Sequence, residues 1–304
     1  MKTYASPNFS STLPCVTALG CFDGVHAGHS YLISEAKKIA NEKNIQTAVW
    51  SFTEPPKNYF KPHSVPLLTL HSEKRIAMQR LGVDILVSVP FDQQTSSLSA
   101  EDFFNEILIK RMKSAHIVCG FNYRFGKGGV GDTELLRKLC DKNNIEISVI
   151  PPITVDGITV SSSEIRTAID NGNVELAKKL LGRPYSLRAK VISGKHLGHT
   201  LGFPTVNQEF EGDKAVPLYG VYLTQIQIGK KTNYGITNIG VQPTVNASKL
   251  YAETNIFDFS GDLYGKTITV EFLRFLRTER KFDSVDDLKS QISNDIQKAK
   301  SMLI

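Results

Sequence analysis

The chain reads as an α/β protein in two parts, an N-terminal doubly wound unit built on a parallel sheet and a C-terminal antiparallel β-barrel with a terminal helix. Three observations predict this. A length of 304 residues exceeds one ordinary core and suits two units. Short β-rich runs alternate with helical apolar spacing as far as 184, and beyond that point period-two runs follow one another between Gly-, Pro- and Asn-containing turns. The predicted domains are therefore 1–184 and 185–304.

In order, the buried-strand runs are 16–20, 46–52, 84–89, 116–120 and 147–150. Between them, 71–81, 100–112 and 133–140 carry apolar residues at helical spacing, and Ser99 with Asp102 makes a helix cap. Alternation of this kind gives a parallel sheet whose ligands collect beyond the carboxyl ends of the strands. In the second half, 187–193, 220–228 and 267–276 alternate at period two, and 284–300 returns to an amphipathic helix capped by Ser284.

Composition narrows the function classes. With 41% hydrophobic and 22% charged residues, the chain is a packed globule rather than a disordered one. Its apolar runs fall well short of the ~20 residues of a membrane helix, and its start lacks a signal-peptide core, so the expected location is the cytoplasm. Cys15, Cys21, Cys119 and Cys140 are scattered without a CxxC pair, which argues against a zinc or disulfide framework. The net charge of +6 is spread without a basic stripe, so a phosphate-rich small ligand is expected in place of nucleic acid. A homo-oligomer is left open.

The most informative segment is 20–29, Gly20-Cys21-Phe22-Asp23-Gly24-Val25-His26-Ala27-Gly28-His29. Placed between the first strand and the first helix, it offers backbone N–H groups and a positive helix end to an anion. Gly24 and Gly28 let the backbone approach a phosphate, and two histidines three apart reach one phosphate group from the same side. An isolated HxxH pair also arises as metal ligands or surface residues. The position after strand one, with no third ligand nearby, points to phosphate transfer.

This segment resembles the HxGH motif of nucleotidyltransferases, in the extended form found in the prokaryotic bifunctional riboflavin kinase/FAD synthetase family. Gly120-Phe121-Asn122-Tyr123-Arg124-Phe125-Gly126 is similar to that family's second segment, and Ser161-Ser162-Ser163-Glu164-Ile165-Arg166 to its SSTxIR segment. The resemblance implies nucleotide binding by Gly20, Phe22, Asp23, Gly24, Gly28, Asn122 and Ser161, catalysis by His26, His29, Ser162 and Arg166, and flavin contact by Tyr123 and Phe125. Asp23 is a candidate for positioning Mg2+ or the helix start.

In the second half, 201–207, ending Pro204-Thr205-Val206-Asn207, is similar to the family's GFPTAN segment, which implies Mg2+ ligation by Thr205 and Asn207. Gly194 and Gly198 correspond to a flap over the ATP phosphates, Glu253 to the base acting on the ribityl hydroxyl, and Arg277, in the RxExKF-like 277–282, to a flavin neighbour. Substrates implied are riboflavin, FMN/FAD and ATP, with no nucleic acid or membrane partner. Departures gather in this half: Val206 for Ala, Gln242 and His199 where Arg is common, and Asn255 where many relatives have His. They motivate an alternative, an FMN adenylyltransferase whose kinase half is inactive or only binds flavin. A non-catalytic flavin sensor conflicts with the HxGH and SSxxxR pair. Gly126-Lys127-Gly128-Gly129-Val130-Gly131 matches the GxGxxG of dinucleotide-binding oxidoreductases, but Glu146 then lies at the start of a strand, where it cannot reach a ribose, so a Gly-rich lid is the better reading.

Overall fold

A computed structural model describes residues 1–6, 9–194, 202–243 and 248–303. By packing, the chain forms two compact units, Met1–Ser162 and Ser163–Ile304.

In the first unit, β1 (Lys2–Tyr4), β2 (Cys15–Leu19), β3 (Gln46–Phe52), β4 (Ile85–Val89), β5 (Ser114–Gly120) and β6 (Glu146–Ile150) form one parallel sheet in the order β1-β4-β3-β2-β5-β6. Both faces are covered, so β2 and β4 are buried at every position. One core holds Trp50, Phe104, Leu108 and Leu136, and the other holds Val16, Ile33, Leu86 and Met78. Neighbouring strand residues such as Cys15 and Val16 divide between these cores, as the two-residue period of a strand requires. The connecting helices are α1 (Ala27–Glu42), α2 (Pro56–Phe60), α3 (His71–Arg80), α4 (Gln93–Ser97), α5 (Ala100–Asp102) and α6 (Thr133–Lys142). Ser99 caps α5, accepting from the Asp102 N–H at 3.0 Å. Beyond α5, Phe103–Arg111 winds with wider turns, the Met112 N–H reaching Ile107 O at 2.8 Å. Spacing at 100–112 signals a helix there, but it does not reveal the change of pitch.

The five expected strands are present, joined at the edge by β1. Lys2–Tyr4 is short and polar, so no apolar pattern marks it. From central β2 the chain builds outward through β3 and β4 on one side and through β5 and β6 on the other. The switch point therefore lies at the carboxyl ends of β2 and β5, where residues 20–29 and 121–126 begin. A hairpin of β7 (Thr154–Val155) and β8 (Ile158–Thr159) then delivers the chain to Ser161 and Ser162.

The second unit starts at Ser163, inside α7 (Ser162–Asp170), so that all but the first residue of α7, and α8 (Val174–Leu181), fall in the barrel unit although they precede residue 185. Strands β9 (Tyr185–Ile192), β10 (Val206–Glu209), β11 (Gly220–Ile228), β12 (Lys231–Pro243), β13 (Ser248–Ile256) and β14 (Thr267–Thr278) close an antiparallel barrel in the order β10-β13-β12-β11-β14-β9. A buried hydroxyl chain crosses three strands, Thr224 to Thr237 at 2.8 Å and Thr237 to Thr254 at 2.9 Å. The last helix, α9 (Val285–Ser301), is capped by Ser284, which accepts from the Asp287 N–H at 3.1 Å. Its Ile292, Ile296 and Ala299 pack on Val221, Leu223 and Leu276.

Candidate active sites

The turn after β2 departs from ordinary backbone geometry. Phe22 has φ +52°, Gly24 +83° and Val25 +39°, so two residues with side chains sit in a region that favours glycine. For β-branched Val25 this is real strain, sustained only where surrounding contacts over-determine the conformation. Those contacts are on hand. The Asp23 carboxylate, 3% exposed, accepts from the Leu68 N–H at 3.2 Å, the Thr69 N–H at 3.0 Å and the Thr69 hydroxyl at 3.3 Å. Gly24 N–H donates to Thr69 Oγ1 at 3.1 Å, and Ser162 Oγ donates to Asp23 O at 2.9 Å. Asp23 thus spends its carboxylate on protein donors, and Ser162 spends its proton on the turn.

His26 is the N-cap of α1, its Nδ1 accepting from the His29 N–H at 3.2 Å. An accepting Nδ1 places the ring proton on Nε2. The two imidazoles stack at 3.5 Å between centroids, 15° from parallel, and the edge of Phe22 meets His29 at 5.0 Å. Gly20 directly follows β2 and Gly28 lies in the first turn of α1. Two imidazole rings are held together at a helix N-terminus, an arrangement suited to stabilising charge on a phosphate.

Around the same switch point the other expected residues divide. Asn122 is exposed after β5, and Tyr123 N–H turns back to Gly120 O at 3.0 Å. Tyr123 and Phe125 stack at 5.9 Å, but Phe125 is buried against Phe103 and Tyr123 packs on the same core. Burial drives the Tyr123 hydroxyl well above the ordinary phenol range. Ser161 is half-buried ahead of α7, and Arg166 lies along that helix in the second compact unit. Another group of rings forms at the ends of β3 and β4, where half-buried Phe91 meets half-buried Phe52 at 5.1 Å and the exposed rings of Tyr59 at 5.7 Å and Phe60 at 5.9 Å. The sequence reading passed over Tyr59, Phe60 and Phe91. Aromatic residues at 59 and 60 following Pro55-Pro56 were the available signal.

The barrel unit has a cavity of about 660 Å³ lined by Thr205, Asn238, Glu253, Asn255, Arg277 and Phe282, among others. Strand register explains the convergence: Glu253 on β13 lies beside Asn207 on β10 and Asn238 on β12. Period two then puts Asn255 on the same face as Glu253. Asn255 Nδ2 donates to Pro204 O at 2.8 Å, fastening the segment that carries Thr205. Asn207 is buried against Gly194, where a Cβ would stand 2.4 Å from Asn207 Nδ2, so only glycine fits. Arg277 is fixed by Asp295 of α9, with Nε 2.9 Å and NH2 2.8 Å from Oδ2. Gln291 donates to the same carboxylate at 2.7 Å, and the Arg280 guanidinium lies 4.8 Å above the Phe282 ring. Asn238 donates to Glu279 at 3.2 Å. Asp295 was missed in the sequence, although it sits with Leu288, Ile292 and Ala299 on the apolar stripe of α9, where an acid is out of place.

Gly198 and His199 lie outside the described residues, as does the side chain of Gln242. Among the described residues no group of three or more His, Cys, Asp or Glu could hold a metal ion. The donors at Thr205 and Asn207 are hard oxygens, which fit Mg2+ bound by one or two protein groups and by substrate phosphates. No helix among the described residues is long and apolar enough to cross a membrane.

A doubly wound sheet with stacked HxGH histidines at its switch point, followed by a six-stranded barrel with a carboxylate-bearing cavity, defines a two-site nucleotide-dependent transferase. Residues 9–164 match the FAD synthetase family and residues 181–303 match the riboflavin kinase family. The bifunctional riboflavin kinase/FMN adenylyltransferase of Pseudomonas fluorescens is 34% identical, covering 95% of this chain and 93% of its own. That of Bacillus subtilis is 36% identical, covering 93% and 91%. A crystal structure of a protein named as a macrolide-efflux protein from Streptococcus pneumoniae superposes with a TM-score of 0.90 at 33% identity over 99% of each chain. This chain belongs to the bifunctional riboflavin kinase/FMN adenylyltransferase family.

Proposed function

We propose that this chain makes FAD from riboflavin in two ATP-dependent steps, phosphorylation to FMN by 185–304 and adenylylation of FMN by 1–184. The observation that carries the reading is the coexistence of stacked His26 and His29 at the sheet's switch point with Glu253, Thr205 and Arg277 around one cavity.

In the barrel, Glu253 takes the proton of the ribityl 5′-hydroxyl as that oxygen attacks the γ-phosphorus of ATP, giving FMN and ADP. Thr205 and Asn207 would hold Mg2+, which neutralises triphosphate charge when bound. Arg277, kept in place by Asp295, and Phe282 border the flavin. In the α/β unit, an FMN phosphate oxygen attacks the α-phosphorus of ATP and pyrophosphate leaves. His26 and His29 donate to the charge that develops there, and the start of α1 supplies further N–H groups. Ser161, Ser162 and Arg166 are assigned to the nucleotide phosphates by motif similarity, and Asn122 to the nucleotide. Asp23 is assigned to holding the turn, since its carboxylate already accepts three protein donors. For the flavin in this unit, the exposed rings of Phe60 and Tyr59 offer stacking surface that buried Phe125 does not. Buried thiols at Cys15, Cys119 and Cys140 favour a cytoplasmic setting.

The test is chromatographic. Purified protein is incubated with Mg2+ and ATP, plus riboflavin in one reaction and FMN in another, and the flavins formed are identified. FAD in both supports the two-step reading, FAD only from FMN removes the kinase step, and FAD from neither removes the adenylyl step.

A further inference from the structure

Lys74 of α3 is among the most deeply buried side chains in the molecule, 1% exposed, and the function described above does not use it. Its Nζ donates to Cys21 O at 2.9 Å and to Phe52 O at 2.7 Å. Among the described residues no carboxylate is in salt-bridge contact with it. Burial pushes its pKa down, and the nearby acidic groups of Asp23 and Glu54 are among those that oppose that shift. A buried ammonium without a close counter-charge is a poor stabilising device, because a packed apolar chain of similar length avoids the desolvation cost.

Its location suggests another use. Phe52 is the last residue of β3, Cys21 follows β2 by two residues, and Cys21 opens the strained turn that carries His26. Ser51 Oγ donates to the same Cys21 O at 2.9 Å, so this one carbonyl is held by two donors. In a trans peptide the C=O and the following N–H point to opposite sides. Directing Cys21 O toward Lys74 therefore orients the Phe22 N–H the other way and fixes the approach to Phe22, the first residue with φ above zero. The segment leading into α3 grips the turn a second time, through Leu68, Thr69 and the Asp23 carboxylate.

We propose that Lys74 is a positioning residue for adenylyl transfer: its two hydrogen bonds set the Cys21–Phe22 peptide, and with it the turn where the nucleotide phosphates bind. This rests on the adenylyl reading of that turn. The turn so oriented acts most on the transition state, where negative charge builds on the departing pyrophosphate, so loss of its support falls on kcat more than on KM for ATP.

Lys74→Met keeps length and apolar volume while removing the donors, and Lys74→Arg keeps donors at the end of the chain. Both are assayed in the full chain for FAD formation from FMN, for FMN formation from riboflavin, and for thermal unfolding. Lys74→Met is expected to lower kcat for FAD formation about 100-fold. KM for ATP should stay within about threefold, as for a group acting mainly in the transition state. FMN formation should be unchanged and Tm equal or higher. Lys74→Arg is expected to recover at least a tenth of the wild-type kcat. Wild-type FAD formation by Lys74→Met overturns the proposal. So does a lowered Tm with kcat restored in assays well below it, or the loss of both activities together. If the wild-type chain itself forms no FAD from FMN, the adenylyl reading fails, a result distinguishable from any of these.

Discussion

The α/β unit carries its two proposed catalytic histidines on one turn, residues 20–29, whereas the barrel unit draws its cavity from positions as far apart as Phe203 and Asp295. On the turn, shape comes from backbone torsion. Phe22, Gly24 and Val25 take positive φ, and Asp23, Thr69, Ser162 and Lys74 hold them there. In the cavity, shape comes from strand register, which sets Asn207, Glu253 and Asn238 side by side on extended backbone. A site of the first kind depends on supports such as Thr69 and Lys74 that hold the turn from neighbouring segments. A site of the second kind depends on side chains that face the cavity directly. The two should therefore fail independently and in different ways.

The largest expected effect is at Glu253. Removing the proposed base with Glu253→Gln should cut riboflavin phosphorylation by about 10²–10⁴-fold and leave FAD formation from FMN unchanged, as steady-state rates of each step would show. His29→Ala should do the reverse, lowering adenylyl transfer by about 10²–10³-fold and leaving phosphorylation intact. A subtler probe of the barrel is Gly194→Ala, whose Cβ would meet Asn207 Nδ2 at 2.4 Å. Displacing Asn207 should slow phosphorylation by about 10–100-fold at fixed Mg2+, measurable as FMN production, with adenylyl transfer unaffected. Smallest is Asn255→Ala, which removes one hydrogen bond to Pro204 O. A loss of about 1 kcal/mol corresponds to an approximately fivefold change in the phosphorylation rate at low ATP.

The same contrast governs how much the sequence disclosed. Residues 20–29 are contiguous, so their glycines, histidines and place after a strand could be read together, and the parallel sheet followed from period and alternation. The supports of that turn could not be read as easily. Lys74 shares the buried face of α3 with Met78, and a single lysine on an apolar stripe looks like one error in the pattern. Asp295 on α9 is hidden in the same way. Strand register is a tertiary property, so the sequence could name Thr205, Asn207 and Glu253 by motif similarity without placing Asn238 beside them. Phe125 shows the opposite limit: a motif aromatic expected at the flavin is held in the core by Phe103 and Tyr123.

The central claim is that two phosphate chemistries are housed separately in one chain. Its most direct measurement follows the flavins formed by His29→Ala and Glu253→Gln, each given Mg2+, ATP and either riboflavin or FMN. His29→Ala is expected to stop at FMN when fed riboflavin, and Glu253→Gln to make FAD from FMN but leave riboflavin unchanged. Loss of both activities in either variant, with the fold intact by thermal unfolding, would contradict it.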